Sequence, residues 1–373
     1  MKEIIRVAQV VGKWVGAGME LVALNYFRNI DKSKFKFDFI CDEDSTNIPY
    51  NEIKGLGGRV ILVPPYENSK KYIKELTNIF KNNKYDIVHS HTNFYSYLSL
   101  KAAKLAKVPV RIAHSHISSI ELEDNKLIKN IYKPLLKANA TDYFACSSEA
   151  AKFMFGEKAY KNNEVTIINN AIDVDKFIYN ERIRNKTRNE LGISKDEMVI
   201  GHIGRFISQK NHIFVLELFR SIHEVNPNSV LLLVGQGPLM KTIRERAYTM
   251  GIYDDIKFLG QLKKTNDIYQ AMDVFLLPSY YEGYPITLVE AESSGLYCVV
   301  SEQVGKKNCL LPSSDALSLY SGINIWRDTI INGYNNHERK NTSKIITDKG
   351  FNINEEIKVL ENKYIELIKV RKH

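Results

Sequence analysis

The chain has 373 residues, enough for two domains at roughly 100–200 residues each. Its composition, 44% hydrophobic and 25% charged, excludes a mainly disordered chain, and no run approaches the ~18 uninterrupted apolar residues of a membrane span. Lys and Arg number 52 against 43 Asp and Glu; the resulting +9 favours an anionic partner without choosing among nucleic acid, a membrane surface and phosphorylated small molecules.

Short β-branched runs alternate with longer amphipathic segments, the pattern of parallel sheets wrapped in helices. The first strand is expected at Ile4–Val11, and its early Lys13 and Glu20 argue against a secretory signal. Further strands follow at Phe37–Cys41, Val60–Val63, Ile87–Ser90, Val110–His114 and Tyr143–Cys146. Helices are expected at Met19–Asn29, Ser69–Lys81, Tyr95–Ala106, Asn125–Ala138 and Glu149–Phe155. Strands restart at Val199–Ile203 and Val230–Val234, then Lys257–Leu259, Val274–Leu277 and Cys298–Ser301.

The reading is therefore α/β, with two doubly wound Rossmann-like domains over residues 1–170 and 171–353, joined where Asn169 to Leu191 interrupts the apolar pattern with a run of charges. A closing amphipathic helix over 354–369, with Ile357, Leu360, Tyr364, Ile365 and Ile368 on one side, is expected to pack back on the first domain. Cys41, Cys146, Cys298 and Cys309 are widely spaced and read as reduced residues of a cytoplasmic protein without a cysteine metal site.

Ligands of open α/β sheets bind beyond the carboxyl ends of strands, so two such domains facing across a cleft would gather polar groups there. The first such loop holds Gly12, Gly16 and Gly18 before a helix N-terminus, suited to close approach of a phosphate or sugar. It lacks the spacing of a dinucleotide fingerprint. The strand ending at Ile203-Gly204 is followed by Arg205 and, at a helix start, Lys210-Asn211-His212: two cations beside a glycine, fit for a diphosphate. After Val274–Leu277 come Glu282-Gly283-Tyr284-Pro285, with a helix expected to begin at Pro285. Glu290 then lies about 7 Å further along it at ~1.5 Å per residue. Two such carboxylates can accept hydrogen bonds from vicinal hydroxyls. His89, His91, His114 and His116 form a further cluster, read as structural or sugar-facing; their loose spacing argues against a metal site.

Gly204-Arg205, Lys210-Asn211-His212, Leu233-Val234-Gly235-Gln236-Gly237-Pro238-Leu239, Phe258-Leu259-Gly260 and Glu282-Gly283-Tyr284-Pro285 with Glu290-Ala291 together resemble the retaining family 4 glycosyltransferases of GT-B fold, in particular the bacterial capsular and exopolysaccharide enzymes. Ile167 to Asp173 and Phe177 are similar to that family's Asn-Gly-Ile-Asp segment. The chain departs from the pattern at Gln236, where an acid is usual, and at Ala171, where glycine is usual.

The resemblance implies transfer of a hexose-type sugar from a nucleotide-diphosphate donor, UDP-linked, to a hydroxyl of a glycan or lipid-linked acceptor, with retention and without a metal or other cofactor. Arg205 and Lys210 would hold the diphosphate, Glu282 the sugar hydroxyls and Glu290 the ribose. Gly204, Gly235, Leu259, Gly283 and Tyr284 would line the donor, Gly16 and Gly18 would border it, and His114, or else His116, would face the sugar. With no evident enzymic nucleophile, front-face attack by the acceptor is expected.

Lys126, Lys129, Lys133 and Lys137 share one helix face, with Leu127, Ile128, Ile131, Leu135 and Leu136 largely elsewhere and a kink expected at Pro134. That face suits peripheral docking to anionic lipid at the inner side of the plasma membrane. The competing readings are a nucleotide-sugar 2-epimerase of the same architecture, which would release nucleotide without an acceptor, and a non-catalytic sugar-nucleotide-binding subunit. Nucleic-acid binding has no recognised module behind it.

Overall fold

A computed structural model describes residues 4–16, 18–117 and 125–371, with only the backbone described over 125–130. The chain divides into two compact units, 1–171 with 353–373, and 172–352. Each is built on one fully parallel sheet.

Among the described residues the first unit holds seven strands: β1 (Ile5–Gly12), β2 (Phe35–Asp42), β3 (Arg59–Val63), β4 (Ile87–Ser90), β5 (Val110–Ser115), β6 (Asp142–Ala145) and β7 (Val165–Ile167), in the order β3-β2-β1-β4-β5-β6-β7. The order reverses beside β1, so the switch point lies between β1 and β4, where open sheets of this kind bind ligands. The second unit holds β8 (Met198–Ile203), β9 (Ser229–Val234), β10 (Ile256–Gly260), β11 (Val274–Leu277), β12 (Tyr297–Ser301) and β13 (Asp315–Leu317), in the order β10-β9-β8-β11-β12-β13. Its switch point lies between β8 and β11. Helices cover both faces, so alternate residues of β8 enter different apolar layers: Val199 and Ile203 join one buried cluster, Met198 and Ile200 the other.

Several local expectations are corrected. The three-residue strands β7 and β13 lie where the sequence pattern predicts no strand. The charged run after Asn180 forms the helix Glu181–Leu191, because Asn180 caps its start by accepting from the Ile183 N–H at 3.1 Å. Arg184 and Arg188 of that helix clamp Asp273 at 2.5 and 2.7 Å. Pro285 is the cap of the helix Ile286–Ser293 rather than its first residue, with an extended ψ of 110°. The closing helix runs Ile353–Arg371 within the first unit, burying Ile353, Ile357, Leu360, Tyr364 and Leu367. Leu367, three residues beyond Tyr364, completes the face, while Ile365 and Ile368 are half-buried.

All four cysteines are buried and unbonded to one another. The helix Asn125–Asn139 runs through Pro134. The side chains of Lys126, Lys129, Leu127 and Ile128 lie outside the described residues. Of the others, Leu136 is buried, whereas Ile131 and Leu135 are exposed, 50% and 40%, beside exposed Lys137 and half-buried Lys133.

Candidate active site

In the second unit two strand ends come together because glycine permits it. Gly235 has φ +137°, and a Cβ there would lie 2.0 Å from the Gly204 carbonyl oxygen, so no side chain fits between β9 and β8. The contact is fixed by Gly204 N–H donating to Val234 O at 3.0 Å and Gly235 N–H donating to Gly260 O, next to half-buried Leu259, at 2.8 Å. The turn survives Gln236 in place of an acid, since it uses the residue's carbonyl, which accepts from Phe206 N–H at 3.0 Å.

Beyond Gly204 the chain makes a short turn over Ser208–Lys210 and enters the helix His212–Val225 through Asn211, whose left-handed φ of 53° suits asparagine. Three hydrogen bonds strap this turn to the loop after β11. Gln209 Nε2 donates to Tyr281 O at 2.8 Å, Tyr280 N–H to Gln209 O at 2.9 Å, and Asn211 Nδ2 to Pro278 O at 3.3 Å. The strapping places Lys210 Nζ 2.6 Å from Glu282 Oε1, with the two side chains only 14% and 9% exposed. Lys210 also lays its stem across Gly204, where a Cβ would sit 3.1 Å from Lys210 Cδ. Arg205 stands exposed beside them, and none of the hydrogen bonds or ion pairs among the described residues engages its guanidinium. Gly204, Arg205, Lys210, Gly235 and Glu282 thus form one group at the switch point of this sheet.

Gly283 and Tyr284 are half-buried; the Tyr284 hydroxyl donates to Asn308 O at 3.1 Å and its ring stacks on Phe351 at 4.7 Å. Glu290 is held by a buried tyrosine. Its Oε2 accepts from the Tyr269 hydroxyl at 2.8 Å, and burial raises its pKa to about 7 against the pull of Tyr269 and Thr265. Glu292, which the motif reading passed over, is fully buried. It accepts from Leu310 N–H at 2.8 Å, Leu311 N–H at 3.1 Å and the Ser314 hydroxyl at 2.5 Å, and burial lifts it to about 7 as well. It anchors the segment after β12.

In the first unit, Gly12, Gly16 and Gly18 have φ of 68°, 81° and 84°, and Gly18 caps the helix Met19–Asn29. Ala17 lies outside the described residues. Buried Glu20 draws the loop in by accepting from Val15 N–H at 3.0 Å, and Lys13 pairs with Asp44.

The histidines of β4, β5 and the residues just after them form a buried ladder. His89 Nε2 lies 2.9 Å from His114 Nδ1, and His91 Nδ1 2.9 Å from His116 Nε2. Gln9 of β1 meets His91 Nε2 at 2.7 Å, and Tyr364 of the closing helix meets His89 Nδ1 at 2.6 Å. Burial pushes every ring far toward the neutral form, His116 down to about 3. His89, His91 and His114 bring one nitrogen each within 4.8 Å of one another, the spacing of a metal-ligand group, but both nitrogens of His89 and of His91 are already bonded to neighbours. Gln9 and Tyr364 carry the ladder yet have no motif; the only trace is a polar amide in an apolar strand and a phenol on an apolar helix face.

Comparisons with known proteins agree with this layout. Residues 183–309 match the family model described as glycosyl transferases group 1, and residues 16–176 the model described as glycosyltransferase family 4. EpsF of Bacillus subtilis strain 168, a protein named as a glycosyltransferase, is 35% identical over 87% of this chain and 86% of its own length. An Escherichia coli UDP-Gal:α-D-GlcNAc-diphosphoundecaprenol α-1,3-galactosyltransferase is 28% identical over 98% of this chain and 97% of its own. Among solved structures, Anabaena HepE in complex with UDP-glucose superposes with a TM-score of 0.78 over 96% of this chain and all of its own, at 16% identity, a likeness of fold. No helix among the described residues is long and apolar enough to cross a membrane.

Proposed function

Because the chain belongs to the family 4, group 1 glycosyltransferases and has their two-sheet GT-B fold, we propose that it moves a hexose-type sugar from a UDP-linked donor to a hydroxyl of a lipid-linked or glycan acceptor, with retention at the anomeric carbon. The observation that carries this reading is the group at the end of β8: exposed Arg205 beside the Lys210–Glu282 pair, on a backbone that glycine keeps open.

Arg205 grips the diphosphate through two oxygens and Lys210 adds a point charge, together neutralising the charge that builds as the phosphate departs. Glu282 steers Lys210 and accepts from sugar hydroxyls; Glu290, with Tyr269 behind it, accepts from the ribose. The Gly283 and Tyr284 amides add donors near the start of the following helix. These two cations do the work for which a metal ion is otherwise used. In the first unit, the Gly16–Gly18 loop and His114 attend the sugar and acceptor.

The bond from the anomeric carbon to the phosphate oxygen breaks, the acceptor oxygen bonds to the same face, and its proton passes to the departing phosphate. The UDP linkage is supported by HepE, whose structure contains UDP-glucose, and the lipid-linked acceptor by the E. coli relative that acts on a diphosphoundecaprenol-linked sugar. Exposed Ile131 and Leu135, one turn apart, give the helix Asn125–Asn139 an apolar face, and Lys133 and Lys137 a basic one on another side, for the anionic membrane that carries such an acceptor.

The test is a panel of nucleotide sugars scored by thermal stabilisation and by transfer to lipid-diphosphate sugars, followed by the configuration of the product. A UDP-hexose that raises the unfolding temperature and yields a product of unchanged anomeric configuration is expected. An inverted product would remove the proposed stereochemistry.

A further inference from the structure

The hydrogen bonds around the histidine ladder form a single chain with a direction. It starts at Tyr364 Oη, which lies 2.6 Å from His89 Nδ1 and 3.2 Å from Gln9 Nε2, an amide nitrogen that can only donate. The phenol therefore gives its only proton to His89 Nδ1, and its oxygen accepts from Gln9 Nε2 at 3.2 Å.

Both ends of the chain follow from these two bonds. A neutral imidazole has one N–H and one lone pair. His89, accepting at Nδ1, carries its proton on Nε2 and donates to His114 Nδ1 at 2.9 Å. His114 then carries its proton on Nε2. On the other branch, the Gln9 amide that donates to Tyr364 turns its Oε1 to His91 Nε2, 2.7 Å away, so His91 is protonated there. Its Nδ1 accepts from His116 Nε2 at 2.9 Å, leaving the His116 lone pair on Nδ1. The two atoms where the chain ends, His114 Nε2 and His116 Nδ1, are buried and have no hydrogen-bond partner among the described residues, on rings stacked 4.1 Å apart. The cavity beside Gln9, His89, His91, His114 and Tyr364 measures about 10 Å³, room for at most one water, so bulk solvent does not scramble the protons.

We propose that Gln9 and Tyr364 are positioning residues that fix the tautomers of the ladder, so that His114 ends it in an N–H and His116 in a lone pair, a buried pair of sites matched to a single hydroxyl group or water. The effect on sugar transfer rests on the proposed function; the tautomers do not. A hydroxyl both accepts and donates, which matches one N–H next to one lone pair, whereas a phosphate oxygen would meet the lone pair of His116 unfavourably. His114 has no basic nitrogen left, since His89 occupies its Nδ1, so it binds oxygen and does not take the acceptor proton.

The test is ¹⁵N NMR of the full chain with labelled histidine, reading which ring nitrogen of each residue is protonated. In the unsubstituted protein His89, His91, His114 and His116 are all expected to carry the proton on Nε2. Gln9→Glu, which can only accept, should take the Tyr364 proton and reverse His89 and His114 alone, leaving His91 and His116 as they were. Tyr364→Phe, which keeps the ring, should leave His89 and His114 divided between tautomers and lower kcat roughly tenfold, the scale of one hydrogen bond, with UDP affinity unchanged. His114 protonated on Nδ1 in the unsubstituted protein, or Gln9→Glu without effect on His114 in a folded protein, overturns the proposal. Full transfer by Arg205→Ala would instead remove the sugar-transfer reading and leave the tautomer result standing.

Discussion

Arg205 and Lys210 are assigned the same ligand but sit in different surroundings, and their alanine variants should differ accordingly. Arg205 is exposed and bonded to none of the described side chains, so Arg205→Ala should leave stability within about 0.5 kcal/mol of the original, as for ordinary surface substitutions. Lys210 faces Glu282 at 2.6 Å, with 14% and 9% exposure. Removing it takes the cation from a largely desolvated carboxylate, which should cost about 2–4 kcal/mol, near the lower end for breaking a buried pair. For a unit spanning residues 172–352 that is roughly 5–15 °C in unfolding temperature. Combining Lys210→Met with Glu282→Gln removes both charges and should restore at least half of the loss without restoring transfer. Thermal unfolding measured beside transfer separates the roles, with both single variants down about 10²–10³-fold in turnover, the scale of one lost charge-stabilising donor. An early-unfolding Arg205→Ala together with a Lys210→Ala as stable as the original would refute the argument.

Other substitutions test the frame around this pair. Gly235→Ala should destabilise by roughly 3 kcal/mol or more in chemical denaturation, because its Cβ meets the Gly204 carbonyl at 2.0 Å and φ is +137°. Glu292 has its pKa raised to about 7 by burial, so the folded state binds its proton more tightly than the unfolded chain does. Its contribution is therefore complete below the ordinary value of 4.5 and is lost as pH rises through about 7, by at most about 1.4 kcal/mol per pH unit. Unfolding midpoints followed from pH 5 to 8 should fall less steeply in Glu292→Gln. Neutralising Lys133 and Lys137 together with Ile131→Ser should lower co-sedimentation with anionic vesicles at least tenfold; undiminished binding would remove the docking face.

The strand ends were legible in the sequence because each combines a β-branched run with a glycine or charge just beyond it. Gly204-Arg205 after β8 and Glu282-Gly283 after β11 lie where that rule puts them. The short strands β7 and β13 escaped it, since three residues carry no period and β7 ends within two residues of Asn169-Asn170. The charged segment at Glu181–Leu191 looked like a linker because its partner, Asp273, is remote in sequence.

The same limit applies inside the site. Lys210, Glu282 and Glu290 could each be singled out by residue type and spacing. That Lys210 bonds to Glu282 and Glu290 to Tyr269 depends on loops meeting in space. Leu367 in place of Ile365 and Ile368 shows how a one-position shift of an amphipathic face moves side chains between core and surface. The histidine ladder shows the reverse. Four histidines in two His-x-His pairs were plain, but their polarity comes from Gln9 and Tyr364, which lie in the first strand and the last helix.

The most direct measurement is calorimetric titration of a UDP-hexose into the original chain and into Arg205→Ala. The account predicts binding weakened at least tenfold in the variant, with its unfolding temperature unchanged. Equal affinity in the two proteins would contradict it.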